Sequence, residues 1–237
     1  MNAQKRDPAL MLLTASGGLI SAFITICGRF PLAHYAVSTS NRLLDFNQVF
    51  LPGAVFGVFV SSCFALRRYL RDFWKAIAIT AASTLAYYAS FLAAGGVELH
   101  NPFNFGEPRD GSISSAALLI GGLTGAGLVL CAMSLLLDSE IAWQSRLLRA
   151  LRWSPAGAIL GIVGWALGPS LGMVLWQIVH SMNLTGPTET FRNAQGETSH
   201  MFSLWAVWQA GIGFVLGLVV NRNKAEELAR QNNQPDG

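Results

Sequence analysis

An all-α transmembrane bundle is the fold class this sequence predicts, and three observations predict it. The chain of 237 residues is 52% hydrophobic and only 12% charged, where a soluble domain carries roughly 25% charge. Its charged residues gather in short clusters, with long uncharged runs between them. Those runs approach the ~20 residues needed to cross a ~30 Å hydrocarbon core as a helix.

Six runs meet that description: residues 9–28, 50–66, 76–95, 115–137, 155–178 and 202–220, none containing Asp, Glu, Lys or Arg. Lipid offers no partner for a bare backbone amide, so each is expected to be helical. A transmembrane barrel would need apolar/polar alternation in segments of about ten residues, and that pattern is absent. The first run follows Lys5 and Arg6 but exceeds the ~7–15-residue core of a signal peptide, with no clear cleavage site after it. It reads as a retained span. The run 50–66 is the shortest, although its uncharged stretch begins at Phe46.

The basic residues orient the spans. One set of segments carries Lys5, Arg6, Arg67, Arg68, Arg71, Lys75, Arg146, Arg149, Arg152, Arg222, Lys224 and Arg230; the alternate loops carry only Arg29, Arg42, Arg109 and Arg192. Loops rich in Lys and Arg stay in the cytoplasm. Both ends of the chain are therefore expected inside, with three hairpins running out and back. The richer set has twelve basic and seven acidic residues, net +5, and the poorer set four and six, net −2. The net charge of +3 thus reflects topology and lipid contact, and no nucleic-acid partner is implied. The expected location is a plasma membrane of the bacterial inner-membrane kind. Residues 1–221 form the transmembrane domain in this reading, and 222–237 a short polar tail.

The connections differ by side. Two basic turns face inward, around Arg67, Arg68 and Arg71 and over residues 139–153. In the latter turn, Leu147, Leu148 and Leu151 share one helical face, while Arg146, Arg149 and Arg152 take another. Such a helix is suited to the membrane interface, its arginines meeting anionic headgroups; a solvated connector is the plainer alternative. The outer loops 101–111 and 183–200 are polar and rich in turn formers. Cys27, Cys63 and Cys131 all fall inside expected spans, with no pairing pattern for a disulfide framework or thiolate metal site.

Glycine is the most informative residue within the spans. Gly157, Gly161, Gly164, Gly168 and Gly172 recur along the fifth at steps of four, three, four and four, which leaves one helical face bare. Bare faces let helices approach closely, and packing drives association where hydrophobicity cannot. Packing within the bundle is the favoured reading; a subunit contact or a sliding pore-lining surface is the functional one. Pro169 is expected to kink this span by removing a backbone hydrogen bond. The pairs Gly121/Gly125 and Gly213/Gly217 repeat the spacing on the fourth and sixth spans. On the third, Thr80, Ser83, Thr84 and Tyr87 share a face. They form either a polar path for a solute or ordinary hydrogen bonds to neighbouring helices and to carbonyls one turn back.

Candidate chemistry is sparse. His34, His100, His180 and His200 lie at or beside the outer side, with Glu98 near His100. Imidazoles suit transition metals, yet no paired ligand spacing appears. An outer-face metal is the only cofactor to consider, and the expectation is that there is none. No charge lies deep in any span, where proton relays and ion pathways usually place one. The best reading is a small-solute permease or channel without a buried-charge relay; the alternative is a non-catalytic membrane subunit, a sensor or assembly partner, packing through its glycine faces, and an outer-face metal-dependent enzyme comes third. Possible partners are membrane lipid, further copies of the chain, or another membrane subunit.

Overall fold

The computed structural model describes residues 7–36, 46–100, 115–137, 141–181 and 195–232. Among these residues the chain is helical, with no strand. The helices are α1 (Pro8–Ala36), α2 (Phe46–Leu66), α3 (Phe73–His100), α4 (Ser115–Leu136), α5 (Trp143–Trp153), α6 (Pro155–Ala166), α7 (Met173–Ser181) and α8 (Gln195–Asn232). Four contain stretches long and apolar enough to cross a membrane: Pro8–Thr25, Phe73–Ala94, Ser115–Leu136 and Ser203–Ala229. In α2 the apolar stretch Phe50–Leu66 is shorter.

The run 155–178 is not one helix. It divides into α6, a π turn at Gly168–Gly172, and α7. Proline supplies the cause. Pro169 has no N–H for the carbonyl one turn back, and its ring crowds that carbonyl. A wider turn absorbs the misfit: the Leu167 carbonyl accepts from Ser170 N at 3.1 Å, Leu171 N at 2.9 Å and Gly172 N at 3.5 Å. The kink expected at Pro169 is thus a full change of helix type.

α8 runs further than its apolar core. Residues 195–200 and 222–232 are helical, where the sequence suggested an outer loop and a polar tail. The C-terminal extension contains good helix formers in Ala225, Glu226, Glu227, Leu228 and Ala229. It carries a Lys224–Glu227 ion pair at 3.2 Å one turn apart, and α5 braces it through Arg149.

The helices close into a ring. α1 packs on α2, α2 on α3, α3 on α4, α4 on α6, α6 on α8, and α8 returns to α1. Glycines set these spacings. A Cβ on Gly157 would stand 2.3 Å from the Gly122 carbonyl oxygen on α4, and one on Gly213 would stand 2.2 Å from the Thr14 carbonyl oxygen on α1. On α2, Gly53 and Gly57 do the same against α3. Only the absence of a side chain permits such contact.

The outside is apolar as well as the core, unlike that of a soluble protein. Thr14, Ser21, Thr25 and Gln209 are completely buried, while Leu12, Leu85 and Ile159 are each more than 60% exposed. A large apolar surface around a partly polar interior is stable only against an apolar solvent. The ring axis is filled. Phe56, Tyr87 and Trp208, from α2, α3 and α8, meet with ring centroids 5.1–6.4 Å apart. Trp208 also reaches Gly125 on α4. Val60, Phe64, Leu130, Met133, Ile212 and Leu216 continue the packing towards the end of the bundle that carries Arg67.

Candidate functional site

The basic segments meet at one end. Asp7, just before α1, accepts a hydrogen bond from Arg67 Nε at 3.0 Å and forms an ion pair with the same guanidinium. The backbone of Asp7 is clasped by Asn221 of α8: Asp7 N donates to Asn221 Oδ1 at 3.2 Å, and Asn221 Nδ2 donates to the Asp7 carbonyl at 2.7 Å. The start of α1, the end of α2 and the end of the apolar part of α8 are thereby tied together. The carboxylate of Asp7 holds the exposed Arg67 guanidinium above its ordinary range.

The turn between α2 and α3 has a defined geometry. Tyr69 N donates to the Phe64 carbonyl at 2.9 Å and Arg68 N to the Ala65 carbonyl at 3.0 Å, the two bonds of a Schellman helix end. Arg68 takes the left-handed position, with φ at 59°, which usually belongs to glycine. Tyr69 then folds back against the core. Burial pushes its phenol above the ordinary range, and the nearby charge of Asp7 adds to this.

α5 lies over this end. Arg146 Nη1 donates to the Leu137 carbonyl at the end of α4, at 2.9 Å. Arg149 reaches Asn223 and Glu226 on α8. Trp153 packs against the core, and the Arg222 guanidinium sits 5.4 Å from the centre of its ring, a favourable cation–π arrangement. Beneath α5 is a cavity of about 20 Å³, lined by Tyr69, Ser134, Arg146, Asn223, Lys224 and Glu227 among others. That volume holds about one water molecule. Glu227 is 5% exposed and accepts from Lys224 Nζ, whereas Arg146 Nε is buried without a protein partner.

Another polar cluster lies within the ring. Ser21 Oγ on α1 donates to Gln209 Oε1 on α8 at 2.7 Å, with both side chains fully buried. Gln209 also neighbours the Tyr87 hydroxyl. Three buried atoms there, Gln209 Nε2, Thr25 Oγ1 and Ser83 Oγ, lack protein partners. Unpaired groups of this kind are costly in a low dielectric.

The glycines of the fifth run serve two neighbours. Gly157 and Gly161 pack on α4, and Gly164 on α8, where its carbonyl accepts from Ser203 Oγ at 2.5 Å. Gly168 and Gly172 are buried at the ends of the π turn. The side chain of Pro169 lies outside the described residues. Thr80 and Thr84 bond back to the carbonyls of Ala76 and Thr80, at 3.0 and 2.8 Å. Tyr87 belongs to the aromatic axis, and Ser83 is among the unpartnered groups. Arg68, Arg71 and Arg152 are exposed at the basic end. Arg67 is paired with Asp7, and Arg146 and Arg149 turn into the protein. The side chains of His34, Glu98, His100, His180 and His200, the candidates for a metal site, lie outside the described residues. No group of three metal-ligating side chains occurs among those that are described.

Sequence reasoning missed Asn221, Asn223 and Glu227. All three lie in a stretch that hydropathy assigns to the end of a span or to a tail. A signal for the last two existed in the repeat of polar residues at 223, 226 and 227, which lines one helical face. Comparison with family models, curated proteins and solved structures finds no match to this chain.

Proposed function

We propose that this chain is a six-span protein of the plasma membrane, its basic end in the cytoplasm, and that it serves as a non-catalytic membrane subunit. In this reading α1–α2, α3–α4 and the α6/α7–α8 pair form three hairpins. The gathering of Arg67, Arg68, Arg71, Arg149, Arg152 and Arg222 at one end supports that orientation. Six crossings require α2 and the broken α6/α7 pair to span alongside the four longer helices.

The observation that carries the subunit role is the filled axis. Phe56, Tyr87 and Trp208 occupy the place where a permeation path along the ring would run. The glycine faces are spent on neighbours within the ring, so a partner would dock on the exposed apolar surface and not through them. Purification in mild detergent followed by native mass spectrometry tests the role. A stoichiometric membrane partner is expected. A monodisperse monomer that conducts a small solute in liposomes would contradict it.

An alternative reading, a small-solute permease, is favoured by one specific arrangement. The π turn packs on α8, and α8 also carries Gln209, whose amide nitrogen lacks a protein partner. Discontinuous helices beside buried polar groups are the usual setting of a midplane solute site. Under this reading, Tyr87→Phe and Gln209→Met both lower solute flux in liposomes. Unchanged flux in both counts against it.

A further inference from the structure

α5 is amphipathic in the reverse sense. Its charged face is turned inward: Arg146 donates to the Leu137 carbonyl, Arg149 engages Asn223 and Glu226, and Ala150 between them is fully buried. Turned outward are Trp143, 54% exposed, Leu148, 60%, and Leu151, 48%, with Gln144, Ser145 and Arg152 exposed among them. A helix on a water-facing surface buries its leucines and exposes its arginines. This one does the opposite at Arg146, Arg149, Leu148 and Leu151, while Leu147 and Trp153 are half-buried and Arg152 is exposed.

What covers the outward face can be argued from its surroundings. Leu135 of α4 and Ile159 of α6, the helices that flank α5 in sequence, are exposed apolar residues as well. At the same end Phe73 and Trp74 open α3, 73% and 76% exposed. Aromatic residues of this kind collect where hydrocarbon meets headgroups. Arg68, Arg71, Arg152 and Arg222 are exposed at this end, as anionic headgroups require. Exposed leucines and aromatic residues interleaved with exposed guanidinium groups match the boundary layer of a bilayer.

We infer that α5 is an interfacial helix of the cytoplasmic leaflet, with Trp143, Leu148 and Leu151 seated at the boundary between headgroups and acyl chains. Its inward arginines join that contact to the inner extension of α8. The inference rests on the six-span reading given above and adds a lipid-docking surface to it. The arginines do not all serve the headgroups. Arg146 and Arg149 fasten the helix to the protein, and Arg152 is the one free to meet phosphate.

Hydroxyl-radical footprinting of the full chain tests this, in nanodiscs of phosphatidylglycerol and phosphatidylcholine holding one copy each. Oxidation is read by mass spectrometry at Trp143 and Leu148, with Leu128 and Ile159 as references within the spans. The expected result is loss of labelling at all four, relative to the denatured chain. The double substitution Leu148→Asp/Leu151→Asp should restore labelling at Trp143 and leave the span references protected. Protected references with Trp143 oxidised as fast as in the denatured chain would overturn the interfacial helix alone. Oxidation of the references as well would overturn the membrane reading, and this inference with it. Protection of Trp143 only in discs holding two copies would assign the face to another molecule of the chain and also overturn it.

Discussion

Replacing Gly157 by alanine tests the ring at its tightest seam. The added Cβ would stand 2.2 Å from the Ala126 Cβ and 2.3 Å from the Gly122 carbonyl oxygen, whereas ordinary contact begins near 3.4 Å. Neither obstacle can swing aside, because one is backbone and the other is fixed to it. α4 and α6 must therefore move apart. Overpacking of this kind costs about 1–3 kcal/mol. Alanine's better helix propensity returns about 1 kcal/mol, leaving a net loss of up to roughly 2 kcal/mol. Gly127 provides the matched control. It lies on the same α4, and its added Cβ would meet only Ser154 Cβ at 3.5 Å. Gly127→Ala should be neutral, or more stable by up to about 1 kcal/mol. The propensity gain is common to both variants, so unfolding free energies measured by steric trapping in bicelles should separate them by about 1–3 kcal/mol. Equal stability of Gly157→Ala and Gly127→Ala would refute the close approach of α4 and α6.

Three other substitutions address the basic end. Arg68→Gly relieves a left-handed residue at the end of α2 and should raise stability by about 1 kcal/mol, read as an upward shift in melting temperature in detergent. Asn221→Ala removes both hydrogen bonds to the backbone of Asp7 and should cost about 1–3 kcal/mol, measured in the same way. Burial raises the Tyr69 phenol above its ordinary 10.0, so the neutral form is favoured in the folded state. Its contribution is complete below pH 10 and is lost as pH climbs through the raised value. Tyr69→Phe should accordingly flatten the alkaline limb of a stability-against-pH curve, and an unchanged limb would show that Tyr69 is not responsible.

Much of the fold was legible because lipid simplifies the problem: uncharged length marks a helix, and clustered arginine marks an end. Four of the expected runs contain helices long and apolar enough to cross a membrane, and Pro169 marks where another breaks. The glycine steps on the fifth run were readable as packing faces, yet not which helix each would meet. That assignment depends on the order of helices around the ring, which no local pattern encodes. For α5, the spacing of Leu147, Leu148 and Leu151 was correctly amphipathic. Which face would turn inward was not readable, because it depends on Asn223 and Glu226, more than seventy residues away. The Ser21–Gln209 contact was hidden for the same reason, as 188 positions separate its partners.

The central claim is a ring crossed six times with its basic end in the cytoplasm. Reporter fusions in living cells test it most directly, joined after residues 68, 145 and 231 on one side and 41, 108 and 189 on the other. Cytoplasmic signals are expected from the first three and external signals from the other three. A cytoplasmic signal after 189 together with an external one after 231 would mean that the broken α6/α7 pair does not cross. It would contradict the six-span ring.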